Sequence, residues 1–90
     1  MRFEWDPEKA DENLKNHGVS FEDGIEVFDD PFELDRLDEH HSDDEIRFNM
    51  IGRTHKRVLF VAYTIPGDQT VRIISVRPAT AREKREYYEE

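Results

Sequence analysis

The chain has 90 residues, a formal net charge of −9 and no cysteine. This length suits one small domain over residues 1–90, and the lack of cysteine excludes disulfides and thiolate metal sites. The longest apolar run, VLFVAY, is far shorter than the roughly 20 residues that span a bilayer, so we expect a cytoplasmic protein without a membrane partner.

The N-terminal segment predicts an edge strand followed by a helix. Residues 2–5 alternate polar and aromatic side chains, as an edge strand does. Asp6 and Pro7 are typical of a helix start, because the carboxylate accepts a hydrogen bond from a free amide and proline suits the first helical position. The helix spans residues 7–17 and ends at Gly18. Its inward face has helical spacing and comprises Ala10, Leu14 and His17.

A second, shorter helix is predicted over residues 21–28. Ser20 and Asp23 resemble a capping box at its start, and Pro31 follows its end. Three apolar residues share one helical face, namely Phe21, Ile25 and Phe28.

The remainder predicts four consecutive strands and a C-terminal helix. The strands cover residues 32–36, 46–50, 57–64 and 71–76, with a polar loop over residues 38–44. The apolar run of the third strand favours a central position, buried on both faces. Thr80 and Glu83 form a capping box that starts a helix over residues 81–89. The order of elements predicts an α+β fold, in which an antiparallel sheet packs against two N-terminal helices and one C-terminal helix.

Charge is unevenly distributed along the chain. Residues 1–45 contain four cations and seventeen acids, a net −13, whereas residues 46–90 contain nine cations and five acids, a net +4. An acidic surface favours a basic partner, while clustered arginines can engage phosphates at short range. The simpler interpretation is that the charges solvate a small domain.

The sequence predicts no metal site and no cofactor. His40 and His41 lie among acids, but neighbouring side chains in a strand or loop point apart and no HxxxH pair occurs. No Gly-rich phosphate loop and no nucleophile elbow is present.

The arginines near the C-terminus suggest phosphodiester chemistry. Arg77 ends the last strand, and Arg82 and Arg85 follow on the helix. Guanidinium groups hold phosphate oxygens and stabilise the charge of a pentacoordinate transition state. Cleavage of RNA also needs groups that move protons, and Glu45 and His17 are the candidates. In the alternative, Arg77 pairs with an acid of the acidic half and His17 caps the end of its helix. Arg82 and Arg85 then pair with Glu86 and Glu89 on the helix surface.

Three segments in order, WDPEKADENLKNHGVSFEDGIEVFDDP, IGRTHKRVLFVAYT and RIISVRPATAREKREYYEE, resemble the BrnT toxins of bacterial type II toxin–antitoxin systems. The resemblance runs nearly the full length of the chain. It implies a compact RelE-like fold and a metal-independent ribonuclease that cleaves RNA and stops translation. It also implies a hetero-oligomer with a BrnA-like ribbon-helix-helix antitoxin, through which alone the complex binds promoter DNA.

The same resemblance implies an active surface. Its catalytic residues are Arg53 and Arg77, with His17 at the end of the first helix, and Glu45 is our own choice of base. RNA would be bound by Lys15, Arg82 and Arg85. Tyr87 and Tyr88 are candidates for stacking on bases, although adjacent helical tyrosines are more often one core and one surface residue.

Two departures from the family pattern reduce positive charge. Asn16 stands where the family usually has lysine, and Pro66 lies in a turn that often carries arginine. They suggest an alternative, in which the protein is a catalytically weak or inactive toxin homologue that binds its antitoxin and co-represses its own promoter.

Overall fold

The protein, seen in a computed structural model, forms five strands and three α-helices. The structure describes residues 1–42 and 44–89, so Asp43 of the predicted polar loop lies outside the described residues. In chain order the elements are β1 (Arg2–Glu4), α1 (Pro7–His17), α2 (Phe21–Ile25), β2 (Leu34–Asp38), β3 (Arg47–Arg53), β4 (Val58–Gly67), β5 (Thr70–Pro78) and α3 (Ala81–Glu89). Short 3-10 turns follow α2 (Glu26–Asp29) and β2 (Glu39–His41).

The strands form one sheet in the order β1-β5-β4-β3-β2. Strands β2 to β5 are antiparallel neighbours, and β4 is central, as its apolar run predicts. The α+β fold is confirmed. One detail is new: β1 pairs with β5 in parallel, with Phe3 opposite Val71. The alternation of polar and aromatic side chains predicts that residues 2–5 form an edge strand, but it does not show which strand they pair with. That pairing depends on how the helices α1 and α2 position the rest of the chain.

Helices cover both faces of the sheet. On one face α1 and α2 enclose a core that includes Phe21, Val61 and Ile73, all almost fully buried. On the other face α3 packs through Tyr87 against Ile51, Val58 and Ala79, a smaller cluster. Among the residues described, no helix is long and apolar enough to cross a bilayer.

The predicted limits of α1 and α3 are confirmed. Asp6 accepts a hydrogen bond from the Glu8 amide at 2.9 Å, and Gly18 ends α1 with a φ of 68°. Thr80 and Glu83 exchange backbone-to-side-chain bonds of 2.9 and 3.1 Å at the start of α3. These signals are reliable because a cap is satisfied within a few residues of the chain.

Several boundaries differ from prediction. The second helix becomes a 3-10 turn from Glu26, and β2 lies two residues later than predicted. Strand β3 continues to Arg53, while β4 continues through Pro66, where the pairing of β4 with β5 is irregular. A missing amide donor is tolerated at such a position.

The inward face of α1 is centred on Asn13, so the prediction that Leu14 and His17 face inward is wrong. Asn13 is buried, whereas Leu14 is 52% exposed. The Asn13 amide nitrogen donates to the carbonyls of Val19 and Val76 at 2.9 and 2.8 Å, and its oxygen accepts from the Val76 amide at 3.1 Å. The two bonds to Val76 fix α1 on β5, and the third connects the helix to the segment that follows it. The residue after Asn13 is consequently directed outward.

Replacement of Asn13 by alanine should therefore destabilise the fold. Asn13→Ala leaves buried backbone groups of Val19 and Val76 unpaired, so the free energy of unfolding should fall by about 2–4 kcal/mol. Urea unfolding measures the change. Asn16→Ala, at an exposed position of the same helix, should stay within about 0.5 kcal/mol of the parent. Equal stability of the two variants would contradict the role of Asn13.

Candidate active site

Cations gather at one end of the sheet. There the turn between β3 and β4 meets the end of α1, because the Arg57 guanidinium donates to the Gly18 carbonyl at 3.3 Å. The end of β5 lies alongside, since the Ala79 amide donates to the Val58 carbonyl at 3.1 Å. We call this region the basic end; its cationic and histidine side chains are Lys15, His17, Arg53, His55, Lys56, Arg57 and Arg77.

A cleft at the basic end joins a histidine, a carboxylate and an arginine. This histidine cleft has a volume of about 310 Å³, and its lining includes Glu26, Arg53 and His55. His55 Nδ1 lies 2.8 and 3.0 Å from the two Glu26 carboxylate oxygens. A carboxylate accepts hydrogen bonds, so Nδ1 is the donor in this contact, and Nε2 is the nitrogen that can accept a proton when the ring is neutral.

Gly52 allows this cleft to form. A Cβ atom on Gly52 would lie 2.6 Å from Val27 Cγ1, a distance that side chains do not tolerate. Only glycine therefore lets β3 pass so close to the 3-10 turn of Glu26–Asp29. The close approach brings Glu26 within reach of His55.

The buried Asp30 connects the segments that line the histidine cleft. It is buried, and its carboxylate accepts hydrogen bonds from the Phe32 amide at 2.9 Å, the Arg53 amide at 2.7 Å and the Tyr87 hydroxyl. Burial acts to raise the pKa of Asp30, but these bonds outweigh it and lower that pKa. Burial and the bond to Asp30 raise the pKa of Tyr87 to about 12. One carboxylate thus connects the turn, β3 and α3.

An aromatic cleft lies on the other side of Arg53. It measures about 400 Å³, and its lining includes Phe32, Arg53, Tyr87 and Tyr88. Tyr87 is a core residue, whereas Tyr88 and Phe32 are 62% and 74% exposed. Of the two tyrosines, only Tyr88 therefore presents its ring for stacking on a base.

Arg77 is already paired. Its guanidinium donates two bonds to Glu83, at 2.7 and 2.9 Å, and stacks 3.9 Å from the centre of the Phe60 ring. The bond to Arg77 is the largest influence that lowers the pKa of Glu83. The positive charge of Arg77 is thus compensated within the chain.

Four other predicted site residues lie on two helices. Lys15 and His17 are exposed in the last turn of α1, and Arg82 and Arg85 are exposed on α3. Arg82 is 3.6 Å from Glu86.

Glu45 lies elsewhere. Its carboxylate is 3.6 Å from the Arg72 guanidinium, beside the start of β3. Arg53 lies at the other end of β3, and a rise of roughly 3.3 Å per residue separates the two ends by about 20 Å. The structure therefore does not bring Glu45 and Arg53 to one phosphate.

Sequence reasoning missed the pairing of His55 with Glu26. These residues are 29 positions apart, and no local motif connects them. A second histidine–carboxylate pair, His41 with Asp38 at 2.9 Å, lies beyond the other end of β3. Within the described residues, no group of three histidine, aspartate or glutamate side chains is arranged to hold a metal ion.

The fold and the histidine cleft define a small α+β domain whose cationic end suits phosphodiester chemistry. The family model for the ribonuclease toxin BrnT of type II toxin–antitoxin systems matches residues 5–83. The chain therefore belongs to the BrnT family of ribonuclease toxins, and membership of a type II system implies an antitoxin partner.

A solved structure has the same fold. The crystal structure of the Brucella abortus ribonuclease toxin BrnT, at 1.1 Å resolution, aligns with a TM-score of 0.66 and 23% sequence identity. The alignment covers 89% of this chain and 97% of that one. No curated protein sequence matches this chain.

The lowered pKa of Asp30 predicts a pH dependence of stability. The ionised Asp30 carboxylate stabilises the fold fully at a pH above the ordinary aspartate pKa of about 3.9. This stabilisation is lost as the pH falls through the lower pKa that Asp30 has in the folded state. The parent should therefore exceed Asp30→Asn in free energy of unfolding at pH 7, and the gap should narrow towards pH 3. Urea unfolding from pH 3 to 7 tests this, and a constant gap would count against it.

Because Arg77 is paired with Glu83, we expect its side chain to stabilise the fold. Arg77→Ala removes two charge-assisted bonds and the contact with Phe60, so the free energy of unfolding should fall by about 1–2 kcal/mol. Arg82→Ala, at a side chain 84% exposed, should change it by less than about 0.5 kcal/mol. Thermal unfolding of both variants distinguishes them, and equal melting temperatures would refute the assignment.

Proposed function

We propose that this chain is a metal-independent endoribonuclease that blocks translation and is neutralised by a BrnA-like antitoxin. The observation that carries the proposal is the histidine cleft, where His55, oriented by Glu26, lies beside Arg53. Family membership supplies the class of activity, a ribonuclease toxin.

The chemistry proceeds by attack of a ribose 2′-oxygen on the adjacent phosphorus. His55 Nε2 accepts the 2′-hydroxyl proton, the new O–P bond forms, and the bond from phosphorus to the 5′-oxygen breaks. Glu26 stabilises the imidazolium that results. Arg53 stabilises the additional negative charge of the pentacoordinate transition state.

Two further groups complete the proposed site. His17 lies at the basic end, next to the Gly18 carbonyl that contacts Arg57, and is the candidate acid that protonates the leaving oxygen. Lys15, Arg82 and Arg85 are exposed and available to the RNA backbone. Arg77 can join them only when phosphate replaces Glu83 as its partner.

A BrnA-like partner follows from the same proposal. The antitoxin would be a ribbon-helix-helix protein that binds the promoter, so this chain contacts DNA only through it. A protein with a net charge of −9 is repelled by DNA and attracted by a basic partner, which supports this arrangement.

One observation favours the alternative, a weak or inactive toxin that acts as co-repressor. The histidine cleft is lined by Asp29 and Asp30 as well as Glu26, and Arg77 is neutralised by Glu83. Acids next to the phosphate site would reduce affinity for RNA.

Expression in bacteria without antitoxin tests the proposal. The parent should arrest growth and cleave RNA, while His55→Ala and Arg53→Ala should each lower cleavage about 10²- to 10⁴-fold and restore growth. The matched control is His41→Ala, because this histidine has a similar carboxylate partner and exposure but lies away from Arg53.

The outcomes separate the two functions. Arrest that His55→Ala leaves unchanged would remove His55 from the mechanism. Normal growth and intact RNA with folded parent protein present would refute the ribonuclease proposal and support the co-repressor.

A further inference from the structure

A second kind of cleft opens on the helical side of the molecule, between α1, α2 and the segment that precedes α1. It has a volume of about 420 Å³. Its apolar lining consists of Trp5, Ala10, Leu14 and Phe21, and its charged lining consists of Asp11 and Glu22. We call it the helical cleft. None of these residues contributes to the histidine cleft or the aromatic cleft.

The exposure of Leu14 in this cleft is built into the fold. Asn13 occupies the position of α1 that faces β5, and its three hydrogen bonds fix the rotation of the helix. Leu14 is consequently held outward, 52% exposed, beside the half-buried ring of Trp5. The apolar surface there is thus preorganised, and a partner that covers it loses little conformational freedom.

The charge around the helical cleft selects the partner. Within the described residues, its lining contains two carboxylates and neither lysine nor arginine. Residues 1–45, which supply this whole surface, carry a net charge of −13. Such a surface repels RNA and DNA phosphates and attracts a protein segment that carries lysine or arginine.

We propose that the helical cleft binds a segment of the antitoxin in which an aliphatic or aromatic anchor is flanked by basic residues. The anchor would lie against Leu14 and Trp5, and the cations would face Asp11 and Glu22. This inference rests on the antitoxin partner of the proposed function and not on the chemistry of RNA cleavage.

The helical cleft lies close to the basic end, because α1 contributes residues to both. Leu14 and His17 are three residues apart on α1, which places them on one face within a turn of about 5.4 Å. A segment that covers Leu14 would therefore lie close to Lys15 and His17. Antitoxin binding at this cleft would restrict access of RNA to one side of the basic end.

The main rival is an apolar patch near the edge of the sheet. Leu37, Ile46 and Ile65 are 53%, 59% and 52% exposed, and Leu37 lies in edge strand β2 opposite Phe48. The charges beside this patch are of both signs, with Glu45 and Arg47 on either side of Ile46 and Arg36 and Asp38 on either side of Leu37. The lining of the helical cleft contains carboxylates and neither lysine nor arginine, so it is better suited to a basic partner. Leu37 nevertheless provides a control that matches Leu14 in residue type and exposure.

The experiment compares Leu14→Arg with Leu37→Arg. The probe is the protein encoded by the reading frame adjacent to the gene for this chain, purified and titrated against each variant without RNA. Isothermal calorimetry gives the affinity, and acrylamide quenching of Trp5, the one tryptophan of the chain, reports contact at the cleft. Leu14→Arg should weaken binding at least about 30-fold, and Leu37→Arg should stay within about threefold of the parent.

Each other outcome overturns the proposal. The proposal is wrong if the parent does not bind the probe or if Leu14→Arg binds it as tightly as the parent does. Loss of binding by Leu37→Arg would instead place the interface at the edge of the sheet. Dimerisation of the parent that Leu14→Arg abolishes would assign the cleft to a second copy of this chain. Equal melting temperatures of the variants show that folding is not the cause. Because RNA is absent, failure of the ribonuclease proposal leaves this result intact.

Discussion

The arrangement of the site depends on one buried carboxylate. Asp30 receives hydrogen bonds from the Phe32 amide, the Arg53 amide and the Tyr87 hydroxyl, so it joins three segments that are remote in sequence. A buried charge is tolerated only when its hydrogen bonds are satisfied, which makes each partner necessary to the others. Without this carboxylate, α3 would be left with a small apolar cluster, and the end of β3 would lose the bond that positions Arg53.

The molecule separates its charges in space as well as in sequence. The turn between β3 and β4 and the ends of α1 and β5 place cations at the basic end, while the helical cleft presents carboxylates around exposed apolar side chains. The proposed function gives this toxin two unlike partners, an RNA substrate and a basic segment of the antitoxin. Because salt screens charges beyond about 8 to 10 Å, the cations of the basic end act at short range, and acids also line the histidine cleft.

Local signals in the sequence were dependable, and remote pairings were not. Asp6, Gly18 and the Thr80–Glu83 box predicted helix limits correctly, because a cap is completed within four residues. Helical spacing placed Leu14 on the inward face, because spacing shows which residues share a face. It cannot show that the neighbouring Asn13 will find backbone partners at Val19 and at Val76 of β5 and so turn inward instead. The partners of His55 and Arg77 were equally invisible, since each depends on how separate elements pack.

By itself the sequence determined the α+β class, the central position of β4, the family and the division of the chain into an acidic and a basic half. The fold class, the position of β4 and the division of charge follow from composition, periodicity and short-range capping. The family follows instead from the resemblance of whole segments to the BrnT toxins. The tertiary structure alone decided that His55 meets Glu26 beside Arg53, that Glu83 neutralises Arg77 and that Glu45 lies at the far end of β3. Such contacts join residues brought together by the sheet register and by the close approach that Gly52 permits, and neither is encoded in any single segment.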